Sequence, residues 1–357
     1  MVAGVQQPVI FRGATRPSSG NLAPTDRPLW PGTIGPVGSS PDRAPGSVRR
    51  TSSVDILWPD GAAGPLHLRG IGRDLITKDS AAETDVADVG HLDVTLKMPS
   101  RAILEVSLDP DDRGLASWLA GHAGHFRTRR ELDHDHADFV AGGSVAALLI
   151  DEIPAATLIS GSSMVRGGFV RREPRESGVA TGVCAGWIEG GSMHVALASR
   201  PFFGEGPPAP LLTRADDPLA WHEEPVMELN AMRRRRRIDV RRGTSDDAPI
   251  DVDVFFRDSM VEAVDGLGVE TVIHEYGIDA CVDRATRRIV SIAAIAHVLP
   301  GPECPSAVAS AQRLVGMSVD DVRAHVRDEF RGTTTCTHLN DALRSIGDLG
   351  ALLTLLP

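Results

Sequence analysis

Alternating apolar and polar positions along the chain predict two sets of β-strands, each followed by helices. In the first half, short alternating runs are separated by Gly, Pro and Asp, which are typical of turns between strands. These runs predict strands at residues 54–58, 65–68, 91–96 and 102–108. In the second half, the same pattern predicts strands at residues 236–240, 250–256, 270–282 and 288–297. The sequence therefore predicts an α+β fold built on antiparallel sheets.

Helical patterns follow each set of strands. Residues 144–160 are the most apolar stretch of the chain, and Pro154 within them argues against a single regular helix. In the second half, Ser318 is expected to cap one helix, and Thr335 or Thr337 to cap the last one. Each half of the chain is thus predicted to be a sheet followed by helices.

The two halves share a sequence repeat. Residues Arg49-Arg50-x-x-x-Val54-Asp55-Ile56 correspond to Arg233-Arg234-x-x-x-Ile238-Asp239-Val240, 184 positions later. An Arg-Asp pair follows each segment, as Arg73-Asp74 and Arg257-Asp258. A repeat of this length indicates two related domains rather than a stacked solenoid. We predict two tandem related domains packed as a pseudo-dimer, in which groups present in only one copy mark the functional site.

Composition divides the chain into four segments. Residues 1–46 are rich in Pro, Gly and Ser without apolar periodicity, which predicts a disordered tail. Residues 47–170 are the first, degenerate copy, and residues 232–357 are the second copy, which carries the predicted active site. The Gly- and Pro-rich residues 171–231 between them are predicted to be an interdomain segment, with one hairpin at 184–198.

The bulk composition narrows the class of protein. The 357 residues are 42% hydrophobic and 24% charged, which is ordinary for a soluble globular protein. The formal charge of −11 argues against a general attraction to nucleic acid or to acidic membranes. No apolar run is expected to span a membrane, and no secretory signal is expected. The four widely spaced cysteines then predict reduced thiols and a cytoplasmic location.

Candidate chemistry concentrates in Cys336-Thr337-His338-Leu339-Asn340-Asp341, which opens the last predicted helix. A helix N-terminus stabilises an anionic oxygen or a thiolate, because its N–H groups are free and its dipole end is positive. His338 can transfer a proton, and Asp341 can orient it one turn later. The first copy has Ala146-Ala147-Leu148-Leu149-Ile150-Asp151 here and lacks Cys, Thr and His. We predict His338 as catalytic and Cys336, Thr337, Asn340 and Asp341 as substrate-binding. The alternative is an N-cap Thr, a buried Cys and a His bonded to a carbonyl.

His274 and Tyr276 alternate along the third predicted strand of the second copy and therefore point to one face of its sheet. Tyr276 is the only tyrosine in the chain, and the first copy has Ser100-Arg101-Ala102 at this place. If the helix of His338 packs on that face, the two imidazoles and the phenol converge, as acid/base catalysis requires. Otherwise the two side chains fill core space at the sheet edge.

Zinc binding by Cys304, Cys336 and His338, with His274 as a fourth ligand, is a less favoured interpretation. The closely spaced ligand pairs that are typical of structural zinc sites are absent. The four histidines within residues 122–136 could also form a metal clip, but their polar setting favours a solvated loop. We therefore predict no metal and no other cofactor.

Five consecutive arginines at residues 233–237 could contact nucleic acid. A charged edge strand, or pairing with the acidic residues 246–253, explains the run more simply. We predict no nucleic-acid partner and no membrane contact. The predicted partner is a small-molecule substrate.

Four segments carry a resemblance to a known family: His274-Glu275-Tyr276, Glu303-Cys304-Pro305, Arg313-Leu314-Val315-Gly316 and residues 335–341. They are similar to a bacterial family of uncharacterised domains, with long actinobacterial-type members, whose hallmark is a C-terminal Gly-Cys-Thr-His-Leu motif. This chain has Thr335 in place of the glycine of that motif. The resemblance covers about residues 49–350. It implies His274 and His338 as functional positions, and a role like that of formaldehyde-releasing lyases in the catabolism of lignin-derived aromatics.

The sequence as a whole predicts a cofactor-independent acid/base enzyme, a lyase or an isomerase, that acts on a small organic substrate. His338 and His274 would exchange protons, and Tyr276 would hold or protonate an oxygen. The alternative is a non-catalytic ligand-binding or scaffold protein in which the same groups only bind.

Overall fold

The computed structural model describes residues 29–111, 113–167, 181–199, 206–243, 245 and 248–357. Within these residues the chain forms one mixed α/β structure with a single eight-stranded antiparallel sheet and eight α-helices. The strands are β1 (Ser47–Leu57), β2 (Leu66–Thr77), β3 (Thr84–Lys97), β4 (Ala102–Asp109), β5 (Met232–Arg241), β6 (Ile250–Val264), β7 (Leu267–Val282) and β8 (Ile289–Val298). The helices are α1 (Leu115–Leu119), α2 (Phe126–Asp135), α3 (Ala137–Gly142), α4 (Val145–Arg166), α5 (Ser192–Ser199), α6 (Val319–Glu329), α7 (Thr337–Arg344) and α8 (Leu349–Leu352).

The order of the strands joins both halves of the chain in one sheet. It runs β4-β3-β2-β1-β5-β6-β7-β8, so that β1 and β5 pair at the centre. Every neighbouring pair is antiparallel, as the alternation of apolar and polar residues predicts. The two predicted sets of four strands are therefore two halves of a continuous sheet.

All eight predicted strands exist, but most are longer than the alternation alone indicates. The clearest case is the hairpin of β6 and β7, which was predicted to end at residue 256 and to resume at residue 270. In the structure both strands continue to a two-residue turn at Asp265-Gly266, where both residues have positive φ angles. Asp-Gly is a favoured pair for this turn, because Gly adopts positive φ without strain and Asp tolerates it.

Helix α4 lies on β1, β2 and β3, and it approaches β2 and β3 at unusually short range. Its Ser144 N-cap accepts a hydrogen bond from the backbone of Ala147, and it then continues through Pro154 as one helix. A Cβ atom added at Gly72 or at Gly90 would lie under 3.0 Å from a methyl of Val145. The two glycines thus allow the backbone of α4 to approach the sheet. The prediction that Pro154 would interrupt this helix was wrong.

Helix α4 is also the only helix within the described part of the chain that is long and apolar enough to cross a membrane. In its most apolar window, 83% is buried inside the fold. Such burial is typical of the core helix of a soluble protein.

Two extended segments cover the face of the sheet opposite α4. Within the predicted tail, Ile34 and Gly35 donate backbone hydrogen bonds to β8, and Val37 donates one to the Glu275 carboxylate. Within the predicted interdomain segment, Trp221 packs edge-on against Phe255. Residues 29–46 are thus bound to the sheet, unlike the disordered tail predicted for residues 1–46. Residues 1–28 lie outside the described residues.

Two local predictions in the second half were wrong. The proposed hairpin at residues 184–198 is instead a 3-10 helix at Ala185–Trp187 followed by α5. The N-cap of α7, which corresponds to the last predicted helix, is Cys336 rather than Thr335 or Thr337, and its side chain makes no capping hydrogen bond. Ser318 caps α6 as predicted, by accepting from the backbone of Asp320.

A buried ion network crosses between the two halves of the sheet. It separates two apolar cores, one around α4 and β1–β4 and one around β5–β8 with α6 to α8. Its members are linked by contacts of 4 Å or less and comprise six arginines and six carboxylates, all buried. They are Arg50, Arg129, Arg234, Arg236, Arg323 and Arg344 with Asp74, Asp151, Glu152, Asp258, Asp341 and Asp348. The equal numbers of opposite charges offset the cost of burying each one.

Candidate active site

The N-terminal turn of α7 brings the two predicted histidines together. His338 lies in this turn and faces the sheet, where Asp258 of β6 and His274 of β7 are directly paired across the strands. The imidazole rings of His274 and His338 stack with their centroids 3.5 Å apart and an angle of 16° between the planes. Sequence spacing could not show this contact, because 64 residues of chain separate the two histidines.

Asp258 completes the group, which we call the His–Asp cluster (Asp258, His274 and His338). Its Oδ2 lies 3.6 Å from His274 Nδ1 and 3.7 Å from His338 Nε2. Within the described residues, neither Asp258 oxygen nor His274 Nδ1 has a hydrogen-bond partner. A buried carboxylate without such a partner carries a large desolvation cost. This arrangement therefore calls for a proton, a substrate or an ion to complete it.

Asp258 was not among the predicted site residues, although the sequence contains the signal. It belongs to the repeated Arg-Asp pair, whose other copy is Arg73-Asp74. We had expected Asp341 to orient His338 from one turn further along the helix. In the structure Asp341 instead bridges Arg129 and Arg234, and Asp258 is the carboxylate beside the histidines.

Burial controls the protonation of the His–Asp cluster. It raises the pKa of Asp258 to about 7, which nearby Arg234 opposes and nearby Glu152 and Asp341 reinforce. Burial also lowers the pKa of His338 to about 3, and it lowers that of His274 well below its usual value. At neutral pH both imidazoles are therefore uncharged, and Asp258 is the member of the cluster that gains or loses a proton near pH 7.

The three members of the cluster differ in their exposure to solvent. Asp258 and His274 are 1% and 7% exposed, whereas the side chain of His338 keeps 19% of its surface exposed. His338 is therefore the member of the cluster that can contact a ligand first.

Tyr276 lies on the same face of β7 as His274, as predicted, but it is completely buried. Burial raises the pKa of its phenol well above its usual value, and Cys336 and Cys304 lie close by. Its hydroxyl has no hydrogen bond of normal geometry among the described side chains. Tyr276 therefore lies in the wall behind the cluster rather than at its open side.

The predicted substrate-binding residues separate into two groups. Cys336 is buried, and burial raises the pKa of its thiol to about 11; its Sγ lies 3.8 Å from His338 Nδ1. Thr337, Asn340 and Asp341 instead line a cavity on the outer side of α7, away from the sheet. Residues of α7 therefore contribute to two separate sites, which the sequence analysis had treated as one substrate-binding site.

Among the described residues, a group with metal-ligand spacing occurs only in the His–Asp cluster, where the three ligand atoms lie within 4.8 Å of one another. The zinc set that we considered from sequence, with Cys304, Cys336 and two histidines, does not form such a group. A carboxylate and two neutral imidazoles are suitable ligands for a divalent cation. However, the two stacked rings lie in nearly parallel planes, so that their in-plane lone pairs do not converge on one point. One ring would have to rotate before both could bind the same ion.

The five arginines at residues 233–237 are buried in the centre of the sheet, so the predicted charged edge strand was wrong. Arg233 pairs with Asp55, Arg235 with Glu224 and Arg237 with Asp239 on one face. Arg234 and Arg236 both pair with Glu152 on the other face. Within the described residues 248–253 of the acidic stretch, Asp253 pairs with Arg237. The run thus contributes ion pairs that join the two halves of the sheet.

Comparison with known proteins places part of this structure in context. Residues 232–351 match the family described as "Protein of unknown function (DUF2889)". The match covers β5 to β8 with α6 and α7, and so includes the whole His–Asp cluster. No curated protein and no solved structure matches the chain significantly. The comparison therefore supports an uncharacterised domain family without supplying an activity.

Proposed function

We propose that the protein is a small-molecule enzyme that performs acid/base chemistry, as a lyase or an isomerase, at the His–Asp cluster. The observation that carries the proposal is the convergence of Asp258, His274 and His338, with three buried polar atoms that have no hydrogen-bond partner among the described residues. Lyases and isomerases remove a proton at one atom and return it at another, which requires groups that change protonation near neutral pH. The resemblance noted in the sequence makes aromatic compounds the first substrate class to test.

Each member of the cluster has a distinct role in this proposal. His338 is the catalytic residue, because it is the one that a substrate can contact. Asp258 is its proton partner through Nε2, since its carboxyl gains and loses a proton near pH 7. His274 stacks on His338 and fixes the plane of its ring. Tyr276 forms part of the buried wall behind the two histidines and does not contact the substrate.

The substrate is held without a resident cofactor in this proposal, and the reaction takes place in the cytoplasm. All four cysteines are free thiols, as expected of a chain kept in a reducing compartment. Burial raises the pKa of the three thiols at residues 184, 304 and 336. These thiols are therefore protonated at neutral pH and do not act as nucleophiles.

We further propose that residues 47–170 and 232–357 are duplicated domains packed as a pseudo-dimer. Reciprocal ion pairs across the central strands support this. Arg49 pairs with Asp239, and Arg233 pairs with Asp55. The sequence repeat relates Arg49 to Arg233 and Asp55 to Asp239, so each pair is the image of the other. Reciprocal contacts of this kind are the signature of a two-fold interface.

The duplication explains how the cluster became different from its counterpart. In the first half, Arg50 and Asp74 form a close two-point ion pair, at 2.6 and 2.7 Å. Their equivalents Arg234 and Asp258 are 3.6 Å apart, because Arg234 hydrogen-bonds to Glu152 and Asp341 instead. Asp258 is thereby released to face the histidines.

The register of the strands also corrects the sequence comparison between the halves. His274 pairs with Asp258, and Asp88 pairs with Asp74, so Asp88 rather than residues 100–102 is the counterpart of His274. The Asp88 carboxylate accepts a hydrogen bond from the backbone of Val145, at the start of α4. The first half thus uses this position to anchor a helix, and the second half uses it to hold an imidazole.

The proposal is tested by ligand screening and proton exchange. A library of small organic compounds, aromatic acids and alcohols included, is screened by thermal shift on the wild type and on His338→Ala, with His91→Ala as an exposed control. Compounds that bind are incubated in D2O, and exchange of their C–H groups is followed by NMR. We expect exchange with the wild type and with His91→Ala but not with His338→Ala. Equal binding by all three proteins without exchange would favour the ligand-binding or scaffold alternative.

Metal-assisted chemistry at the same residues is the second candidate, favoured by the spacing of the three ligand atoms. In that case purified protein would contain about one divalent ion per chain, and Asp258→Asn would lose it. Elemental analysis of both proteins, before and after chelation, decides between the candidates. Exchange activity that survives complete metal removal would leave the cofactor-independent mechanism.

A further inference from the structure

An arginine-lined cavity lies on the outer side of α7, and none of the three residues of the His–Asp cluster lines it. It has a volume of about 440 Å³ and is bordered by α2, α7 and the C-terminal end of α6. We call it the arginine pocket. Its walls contain one carboxylate, Asp341, and six arginines: Arg127, Arg129, Arg130, Arg327, Arg331 and Arg344.

Four of the six arginines pair with carboxylates: Arg127 with Glu131, Arg129 and Arg344 with Asp151, and Arg327 with Asp133 and Asp328. Arg130 and Arg331 are exposed, and neither forms a salt bridge with any residue that the structure describes. These two guanidinium groups therefore supply the positive charge that an anionic ligand would meet. A concave surface with several cations concentrates anions, because low-dielectric walls focus the field.

The walls between the arginines are apolar. Phe126 and Phe330 line the cavity together with Val326. The guanidinium of Arg129 lies over the Phe126 ring, 5.0 Å from its centroid, which fixes both groups in place. A ligand that fits therefore has an apolar body as well as an anionic group. The volume of about 440 Å³ falls in the range of small-molecule sites.

We propose that the arginine pocket binds a small organic anion, a carboxylate or a phosphate ester attached to an aromatic or branched aliphatic body. Arg130 and Arg331 provide the charge-assisted hydrogen bonds to the anionic group, and the two phenylalanines contact the body. The site is distinct from the His–Asp cluster, although α7 contributes to both. Asp341 connects them, since it contacts Arg129 in the pocket and Arg234 beside Asp258.

The test uses the full-length protein and defined probes. Binding of benzoate, phenyl phosphate, inorganic phosphate and the uncharged benzyl alcohol is measured by calorimetry at two salt concentrations. The variants are Arg130→Gln, Arg331→Gln and their combination, since both side chains are exposed and their loss leaves the buried network intact. Arg69→Gln, an exposed arginine on β2 that pairs with Asp93, is the matched control. His338→Ala separates this proposal from the proposed function.

We expect the two aromatic anions to bind more tightly than inorganic phosphate, and benzyl alcohol not to bind. Each single variant should weaken binding at least about tenfold, the loss of one charge-assisted hydrogen bond, and the double variant further. Arg69→Gln and His338→Ala should bind the anions like the wild type. Absence of binding to the wild type, or equal binding by the double variant, would overturn the proposal. Loss of binding in His338→Ala would place the anion at the His–Asp cluster instead.

Discussion

At the scale of single residues, the site depends on an aspartate whose pKa is raised into the neutral range when the protein is folded. Burial raises the pKa of Asp258 from 3.8 to about 7. Between these values the folded chain holds a proton that the unfolded chain has released. The folded state thus binds more protons, and the contribution of Asp258 to stability falls as the pH rises from about 4 to about 7.

Asp258→Asn removes this titration and makes a direct prediction. Relative to the wild type, the free energy of unfolding of the variant should increase by about 3 kcal/mol between pH 5 and pH 8, and change little above pH 8. Urea unfolding at a series of pH values measures this difference. Asp93→Asn, where the carboxylate is 64% exposed, is the control and should show no such trend. A constant difference between Asp258→Asn and the wild type would contradict a raised pKa.

Tyr276 provides a second prediction at this scale. Because its buried hydroxyl has no hydrogen bond of normal geometry among the described residues, Tyr276→Phe should change stability by less than about 1 kcal/mol. Tyr276→Ala should cost about 3–5 kcal/mol, since it leaves a cavity in the core. Chemical unfolding of both variants measures the two effects. A large loss in Tyr276→Phe would show that the hydroxyl has a hydrogen-bond partner inside the fold.

At the scale of elements, the distance between helix and sheet differs between the two halves. Gly72 and Gly90 allow α4 to approach β2 and β3. By strand register, Phe256 and Tyr276 occupy the equivalent positions beneath α7. The aromatic rings fill the space between the sheet and α7, and the His–Asp cluster occupies the adjacent layer. The use of large residues where the other half has glycine is therefore part of how the site is built.

The close approach of α4 is testable at Gly90. A Cβ there would lie 2.9 Å from Val145 Cγ1 and 3.2 Å from the backbone nitrogen of Ala146. Gly90→Ala should therefore cost about 1–3 kcal/mol. Adding Val145→Ala removes one of the two clashes, so the double variant should lose less than the sum of the single losses. Gly142→Ala, where no atom lies within 4 Å, is the control and should not be destabilised.

At the scale of the whole molecule, buried arginines of the second half are neutralised by a carboxylate of the first half. Glu152 of α4 is the shared partner of Arg234 and Arg236 of β5. Its carboxylate is buried, and so are both guanidinium groups. Removing the charge of Glu152 would leave two buried guanidinium groups without enough negative charge nearby. An uncompensated buried charge strongly lowers the free energy of unfolding.

Glu152→Gln should therefore destabilise the protein by about 3–5 kcal/mol. The wild type should unfold in a single transition seen equally by circular dichroism and by tryptophan fluorescence, since one sheet and one network join both halves. Glu105→Gln, an exposed position on β4, should change stability by less than about 0.5 kcal/mol. Two separate transitions in the wild type would show that the halves fold independently.

The sequence by itself determined the existence of all eight strands, the antiparallel class of the sheet and the repeat of the Arg-Asp pair. These follow from alternation, turn residues and identity at fixed spacing, which are local properties of the chain. It also placed His274 and His338 among the candidates, and both lie in the cluster. The Asp265-Gly266 turn was not predicted, although its residue pair is a local signal for a two-residue hairpin.

Only the tertiary structure decided what those residues contact. Because β1 pairs with β5, the two predicted sheets form one sheet, and the five-arginine run is buried at its centre. From sequence alone, without its partners, such a run is typical of a solvated strand. Asp258 lies beside the histidines because the register of β6 and β7 pairs it with His274. Asp341 does not contact His338, because its carboxylate accepts hydrogen bonds from Arg129 and Arg234. Such contacts depend on partners distant in the chain, and the free energy of a buried charge depends on all of them together.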